Sequence, residues 1–191
     1  MANFSEAHKI VMRHEGGYAN NPYDRGGETY KGIARKIHPT WPGWVIVDQV
    51  TSKTPLIYHI NDALNADMGI QELVLRFYKD QFWDAVMLDS INNQAIATEL
   101  YDTAVNMGTG TASLFLQRTL NVLNRNGQDY ADLKLDGRVG PKTVDTTNRH
   151  PRPNDLLKVL NILQGYKYVS ICEANPSQEI FMRGWLSRVS F

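Results

Sequence analysis

The chain has 191 residues, 20 basic and 20 acidic side chains, 42% apolar residues and one cysteine. No apolar run approaches the ~20 residues of a membrane span, and zero formal charge argues against a nucleic-acid partner, whose phosphates call for a cationic excess. Cys172 stands alone, which excludes an intramolecular disulfide framework and a Cys-rich zinc site, so the fold must hold by its core.

In chain order, Asn3-Phe4-Ser5-Glu6 has the form of a capping box, and the apolar positions that follow predict a first helix to about Glu15. The same opening residues lack the basic and apolar regions of a secretory signal, so export is expected to use another route. Gly16-Gly17 is expected to end the helix by adopting positive φ. Pro22, Gly26 and Gly27 then mark a turn-rich stretch. With Gly26-Gly27 as the two-residue loop of a hairpin, Arg25 pairs with Glu28, Asp24 with Thr29 and Tyr23 with Tyr30. Residues 38–55, with three prolines, Trp41 and Trp44, are expected to form a loop presenting exposed aromatics.

Apolar residues recurring from Asn61 to Trp83 predict one long amphipathic helix, kinked at Gly69. Further helices are expected over Asn92–Met107, stopped by Gly108, from Thr111 to about Leu123, from Pro141, and over Asn154–Glu173, with Ile180–Val189 closing the chain. The reading is mainly α with one small β-hairpin near the N-terminus. Neutrality conceals a division: residues 1–107 carry 9 Lys/Arg against 13 Asp/Glu, and residues 108–191 carry 11 against 7. A basic second half suits contact with an anionic polymer.

The residues with a pattern suited to chemistry are Glu15, Asp24 and Thr29. A carboxyl at a helix C-terminus, beside the aromatic Tyr18, meets both the helix dipole and desolvation, and each disfavours its ionised form. Such a group can protonate a leaving oxygen, while an ionised Asp24 could activate water or stabilise positive charge at a sugar carbon. Thr29 could position a water or a sugar hydroxyl. The structural alternative is that Asp24 holds its turn. His8 and His14, six apart, do not share a helix face as zinc ligands would. Asp132, Lys134 and Asp136 fail as a calcium loop, because Lys134 supplies no oxygen and Thr143 stands where a bidentate Glu is required. Neither a metal nor any other cofactor is expected.

His14-Glu15-Gly16-Gly17-Tyr18, followed by Asn21 to Thr29 with Asp24 and Gly26-Gly27, and by Lys31-Gly32-Ile33, resembles the glycoside hydrolase family 108 lysozymes, N-acetylmuramidases also named secretion activator proteins. Tyr78 to Asp84 and Asp102 to Gly108 resemble the family's later helices. Ala112, Leu116-Gln117, Asp136 to Gly140 and Phe181 to Val189 resemble its C-terminal predicted peptidoglycan-binding region. The resemblance implies a lysozyme-like helical fold, hydrolysis of the β-1,4 bond between N-acetylmuramic acid and N-acetylglucosamine, and Glu15 as the acid. Asp24 and Thr29 follow by similarity to phage-type lysozymes. It implies a catalytic region over 1–107 and a helical peptidoglycan-binding region over 108–191, packed together as one compact unit.

Tyr18, Tyr23, Tyr30 and nearby tryptophans are candidates for stacking on sugar rings. Asp102 and Asn106, four apart on one helix, either line the cleft or brace the helix packing. The expected partner is the peptidoglycan glycan strand, at the bacterial cell wall or periplasm, without nucleic acid or stable membrane insertion; nothing in the sequence specifies a protein partner. The alternative is a catalytically weak or inactive peptidoglycan-binding protein associated with secretion or wall remodelling.

Overall fold

The computed structural model describes residues 1–14, 16–20, 27–54 and 56–189. The chain divides into two compact units, a sheet unit of His8–Asp80 and a helical unit of Met1–Ala7 with Gln81–Phe191. The expected fold class holds: the chain is mainly α, with a small antiparallel sheet near the N-terminus.

Helix α1 (Phe4–Val11) starts where its cap predicts, because the Glu6 amide donates to Asn3 Oδ1 at 3.2 Å. It ends earlier than the spacing suggested, with Met12–His14 tightened into a 3₁₀ turn. In the sheet unit, β1 (Tyr18–Asn20), β2 (Glu28–Tyr30) and β3 (Ile33–Ala34) form an antiparallel sheet in the order β1-β2-β3. The expected register does not form: Tyr30 pairs with Tyr18, Thr29 with Ala19 and Glu28 with Asn20, so the first strand lies farther upstream than residues 23–25. On its other edge β2 takes Ala34 and Ile33 opposite Thr29 and Tyr30. The two-residue hairpin loop is Lys31-Gly32, with φ of 44° and 76°, the all-positive pattern that suits strand twist. A lysine at the first position is strained there, and two side chains hold it. The Tyr78 hydroxyl donates to the Lys31 carbonyl at 2.7 Å, and Lys31 Nζ donates to Gln71 Oε1 at 2.7 Å.

The expected loop over 38–55 contains a helix, α2 (Gly43–Lys53). Trp41 and Trp44 are 7% and 4% exposed, so they form core and offer no ring face to solvent. Their rings meet edge to face at 5.2 Å, Trp44 Nε1 donates to the His38 carbonyl at 2.7 Å, and the Arg35 guanidinium lies 4.5 Å from the Trp44 ring centroid. This burial overrides the weak helix propensity of Val45-Ile46-Val47. The expected single helix over 61–83 is two, α3 (Ile57–Ala66) and α4 (Met68–Tyr78). The break is at Asp67, whose side chain accepts from the Ile70 amide at 2.9 Å and starts a new helix, while Gly69 lies within it.

In the helical unit, α5 (Gln94–Met107) is capped by Asn93, and Gly108 ends it with φ of 88°. Then come α6 (Thr109–Val122), α7 (Pro141–Arg149), α8 (Pro153–Ala174), a 3₁₀ turn over Pro176–Phe181 and α9 (Met182–Leu186). Helices α5, α6 and α8 pack on one another around Leu100, Ala104, Leu116 and Leu160, all buried. Trp83 is fully buried, with the rings of Phe4 and Tyr101 edge-on at 5.5 and 5.6 Å, and its Nε1 donates to Asp89 Oδ1 at 2.7 Å. No helix among the described residues is long and apolar enough to cross a membrane.

Candidate active site

Of the proposed catalytic residues, Glu15 and Asp24 lie outside the described residues, as does Tyr23. Their immediate frame is described. Gly17, two residues after Glu15, does not take positive φ as expected; its requirement is steric. A Cβ there would sit 2.2 Å from Asn61 Oδ1, an impossible approach. That same oxygen accepts from the Tyr18 amide at 2.7 Å, while Asn61 Nδ2 donates to the Ile57 carbonyl at 3.2 Å. Helix α3 thus clamps the backbone leaving the Glu-Gly-Gly-Tyr segment, and only glycine lets the clamp close.

Beyond the clamp, Tyr18 is 9% exposed and its hydroxyl donates to Glu28 Oε1 at 3.0 Å. Glu28 Oε2 lies 2.8 Å from Arg35 Nε, and Arg35 Nη2 reaches Asp48 Oδ1 at 2.6 Å. Glu28 and Asp48 are thus both ion-paired to Arg35, while Arg25, the expected cross-strand partner of Glu28, lies outside the described residues. Burial, then the Glu28 carboxylate, pushes the Tyr18 hydroxyl above its ordinary range, which keeps it a donor.

Tyr30 is fully buried on the same sheet face, its hydroxyl accepting from Gln71 Nε2 at 2.9 Å. Its ring therefore supports the sheet from beneath. Gln71 Nε2 also donates to the Leu64 carbonyl at 2.7 Å, so one side chain ties β2, the Lys31 turn and the end of α3 together. Thr29 is half-buried between Ala19 and Ala34, and strand alternation places it on the face opposite Tyr18 and Tyr30. Behind the sheet, His8 packs on Tyr78 with ring centroids 5.4 Å apart. Burial and then the Lys31 charge lower its pKa to about 4, so it stays neutral.

Asp102 and Asn106 belong to the helical unit, where both engage protein partners. Asp102 Oδ1 pairs with Arg188 Nη1 at 2.7 Å, and its Oδ2 accepts from Gln164 Nε2 at 2.8 Å. Asn106 Oδ1 accepts from the Tyr168 hydroxyl at 3.1 Å. These bonds tie α5 to α8 and to the C-terminal segment. Buried Glu99 lies close by, and desolvation followed by the Asp102 charge raises its pKa to about 8, so its carboxyl is held protonated. The carboxylates of the discarded calcium pattern serve as loop acceptors. Asp132 takes a bond from Asn124, and Asp136 takes bonds from Gln117 Nε2 at 2.8 Å and the Arg138 amide at 3.0 Å.

Asn61, Gln71 and Arg35 are the functional supports that sequence reasoning missed. No local pattern marks Asn61 or Gln71, because their partners in the sheet and its turn are 40 to 43 residues away; the Lys31-Gly32 dipeptide between apolar residues was the one available signal for the true hairpin.

Residues 8–108 match the family described as glycosyl hydrolase 108, and residues 111–190 match a predicted peptidoglycan domain. No curated protein matches the chain. Among solved structures, SagA from Brucella abortus is similar in fold, with a TM-score of 0.60 and 20% identity over 97% of this chain and 88% of that one. Because the family match spans more than half of the sequence and includes the whole Glu-Gly-Gly-Tyr segment with its clamp, the chain belongs to the glycosyl hydrolase 108 family and is a glycoside hydrolase.

Proposed function

We propose that this hydrolase cleaves the β-1,4 bond between N-acetylmuramic acid and N-acetylglucosamine in peptidoglycan, with Glu15 as general acid. The family match across the Glu-Gly-Gly-Tyr segment carries the proposal. The clamp of Gly17 and Tyr18 by Asn61 supports it, since a general acid must be held in position relative to the glycosidic oxygen. Glu15 donates its proton to that oxygen as the bond breaks and an oxocarbenium-like state develops. Asp24, ionised, stabilises that state or guides the attacking water, and Thr29 positions a water or sugar hydroxyl. A carboxylate separation of about 5 Å would make the enzyme retaining and one of roughly 6.5 to 9.5 Å inverting.

Tyr23 is the proposed aromatic contact to substrate, while Tyr18, Tyr30, Asp102 and Asn106 act by holding the scaffold. Residues 1–107 are the proposed catalytic region and residues 108–191 the peptidoglycan-binding region, a division favoured by the domain match over 111–190. The protein acts at the bacterial cell wall.

The Glu15→Gln substitution keeps the side-chain size and removes the titrating proton, so clearing of cell-wall suspensions should fall by about two to four orders of magnitude. Mass analysis of wild-type digests should show new reducing ends on muramic acid. Full clearing by E15Q removes the acid assignment, and reducing ends on glucosamine remove the bond assignment. Wall binding by the wild type without any clearing would favour the non-catalytic alternative.

A further inference from the structure

The helical unit carries a groove that the catalytic reading leaves unused. It lies between α6 and α8 and encloses about 340 Å³. Leu114, Phe115 and Arg118 line it from α6, and Leu163, Tyr166 and Lys167 from α8. Each helix contributes its i, i+3 and i+4 positions or their equivalents, so the lining belongs to one continuous stripe per helix. The lining hydroxyls of Thr111 and Ser170 are turned back onto the carbonyls of Met107 and Tyr166, at 2.9 Å each, which leaves the two cations and the Tyr166 hydroxyl as the polar groups offered to a ligand.

The charge of the lining is one-sided. Arg118 and Lys167 stand at the groove with no carboxylate among the lining residues, and neither makes an ion pair with another described residue. Tyr166 is 64% exposed and presents an aromatic surface beside them. The lining therefore favours an anionic occupant, with small apolar groups to meet Leu114, Phe115 and Leu163. The volume lies near the low end of the roughly 300–1,000 Å³ of small-ligand pockets. A neutral glycan would meet the two cations only as hydrogen-bond donors, whereas carboxylates add charge to the same bonds. A short peptide bearing carboxylates and methyl side chains satisfies all three constraints.

We propose that the α6–α8 groove binds the stem peptide of peptidoglycan, with the Arg118 fork and the Lys167 ammonium on its carboxylates and the alanyl methyls on the apolar floor. This rests on the peptidoglycan reading above and extends it from the glycan to the peptide. The groove gives the hydrolase a means of engaging walls that still carry their peptides.

The test is a binding titration, followed by calorimetry or amide chemical shifts, with N-acetylmuramyl-L-alanyl-D-glutamate and the same compound with its glutamate carboxyls amidated. Neither probe contains a bond between two sugars, so binding is read independently of hydrolysis: a protein that clears no walls can still bind, and one that clears them can still fail here. The free carboxylate probe should bind at least ten-fold more tightly than the amidated one. The Arg118→Glu, Lys167→Glu pair should abolish that difference, whereas Lys142→Glu with Lys158→Glu, exposed cations away from the groove, should preserve it. Circular dichroism establishes that both variants remain folded. Absence of wild-type binding, equal binding of the two probes, an unchanged affinity in the groove variant, or an equal loss in the control variant would each overturn the proposal.

Discussion

Replacing Gly17 by alanine tests the clamp directly. The new Cβ would fall 2.2 Å from Asn61 Oδ1 and 2.9 Å from Asn61 Cγ, so Asn61 must swing away. Its 2.7 Å bond from the Tyr18 amide is then lost, beside a residue only 9% exposed. Stranding a buried amide costs about 1–3 kcal/mol, and the reduced freedom of the unfolded chain returns about 0.4–1 kcal/mol. The net loss is about 1–2 kcal/mol, which in a protein of this size lowers Tm by roughly 2–8 °C. The assay is thermal melting followed by the near-ultraviolet signal of Trp41 and Trp44, both buried in the sheet unit. Gly16→Ala is the internal control, because its Cβ would meet nothing within 4 Å. Asn61→Ala removes the same bond, so G17A/N61A should cost less than the two single changes together, with a coupling of about 1 kcal/mol. A G17A melt at or above the wild-type temperature, or strict additivity in the cycle, would refute the clamp.

Glu99 should shape the alkaline side of stability. The folded state keeps its proton up to about 8 while the unfolded chain releases it near 4.5, so the fold binds more protons in between and stability falls as pH rises through that window. Glu99→Gln should flatten this slope in denaturant titrations; an unchanged slope would show that another group governs it. His8 acts oppositely, since the unfolded chain takes up a proton near 6.5 and the folded one only near 4, so stability is lost as pH falls between them. His8→Phe should remove that acid-side slope, and its persistence would count against the burial of a neutral imidazole. Arg188→Met leaves Asp102 buried without its cation, and should cost about 3 kcal/mol; adding Asp102→Asn should recover part of the loss, and full stability of the single variant would show the 2.7 Å pair to be dispensable.

What was legible in the sequence is what depends on near neighbours. The Asn3 cap of α1, the end of α5 at Gly108 and the start of α7 at Pro141 all stand where local chemistry placed them, because a cap, a positive φ and a missing amide act within one turn. The Glu-Gly-Gly-Tyr segment was equally visible as a motif, though the reason for its second glycine was not.

Only the tertiary structure decided the partners. The strand facing Thr29 contains Ala19 instead of Asp24, because β2 is flanked on both edges and its register is set by burying Tyr18 and Tyr30 on one face. The segment with Trp41 and Trp44 became a helix because two buried indoles outweigh turn-forming neighbours, and Asp67 split one amphipathic pattern into two helices because a cap competes with propagation. Asn61 reached Gly17 across 43 and more residues, a contact no periodicity encodes. By itself the sequence determined a mainly helical protein with its motif at the N-terminus; the packing of side chains distant along the chain decided which backbone that motif stands on, since buried polar groups must find partners wherever the fold brings them.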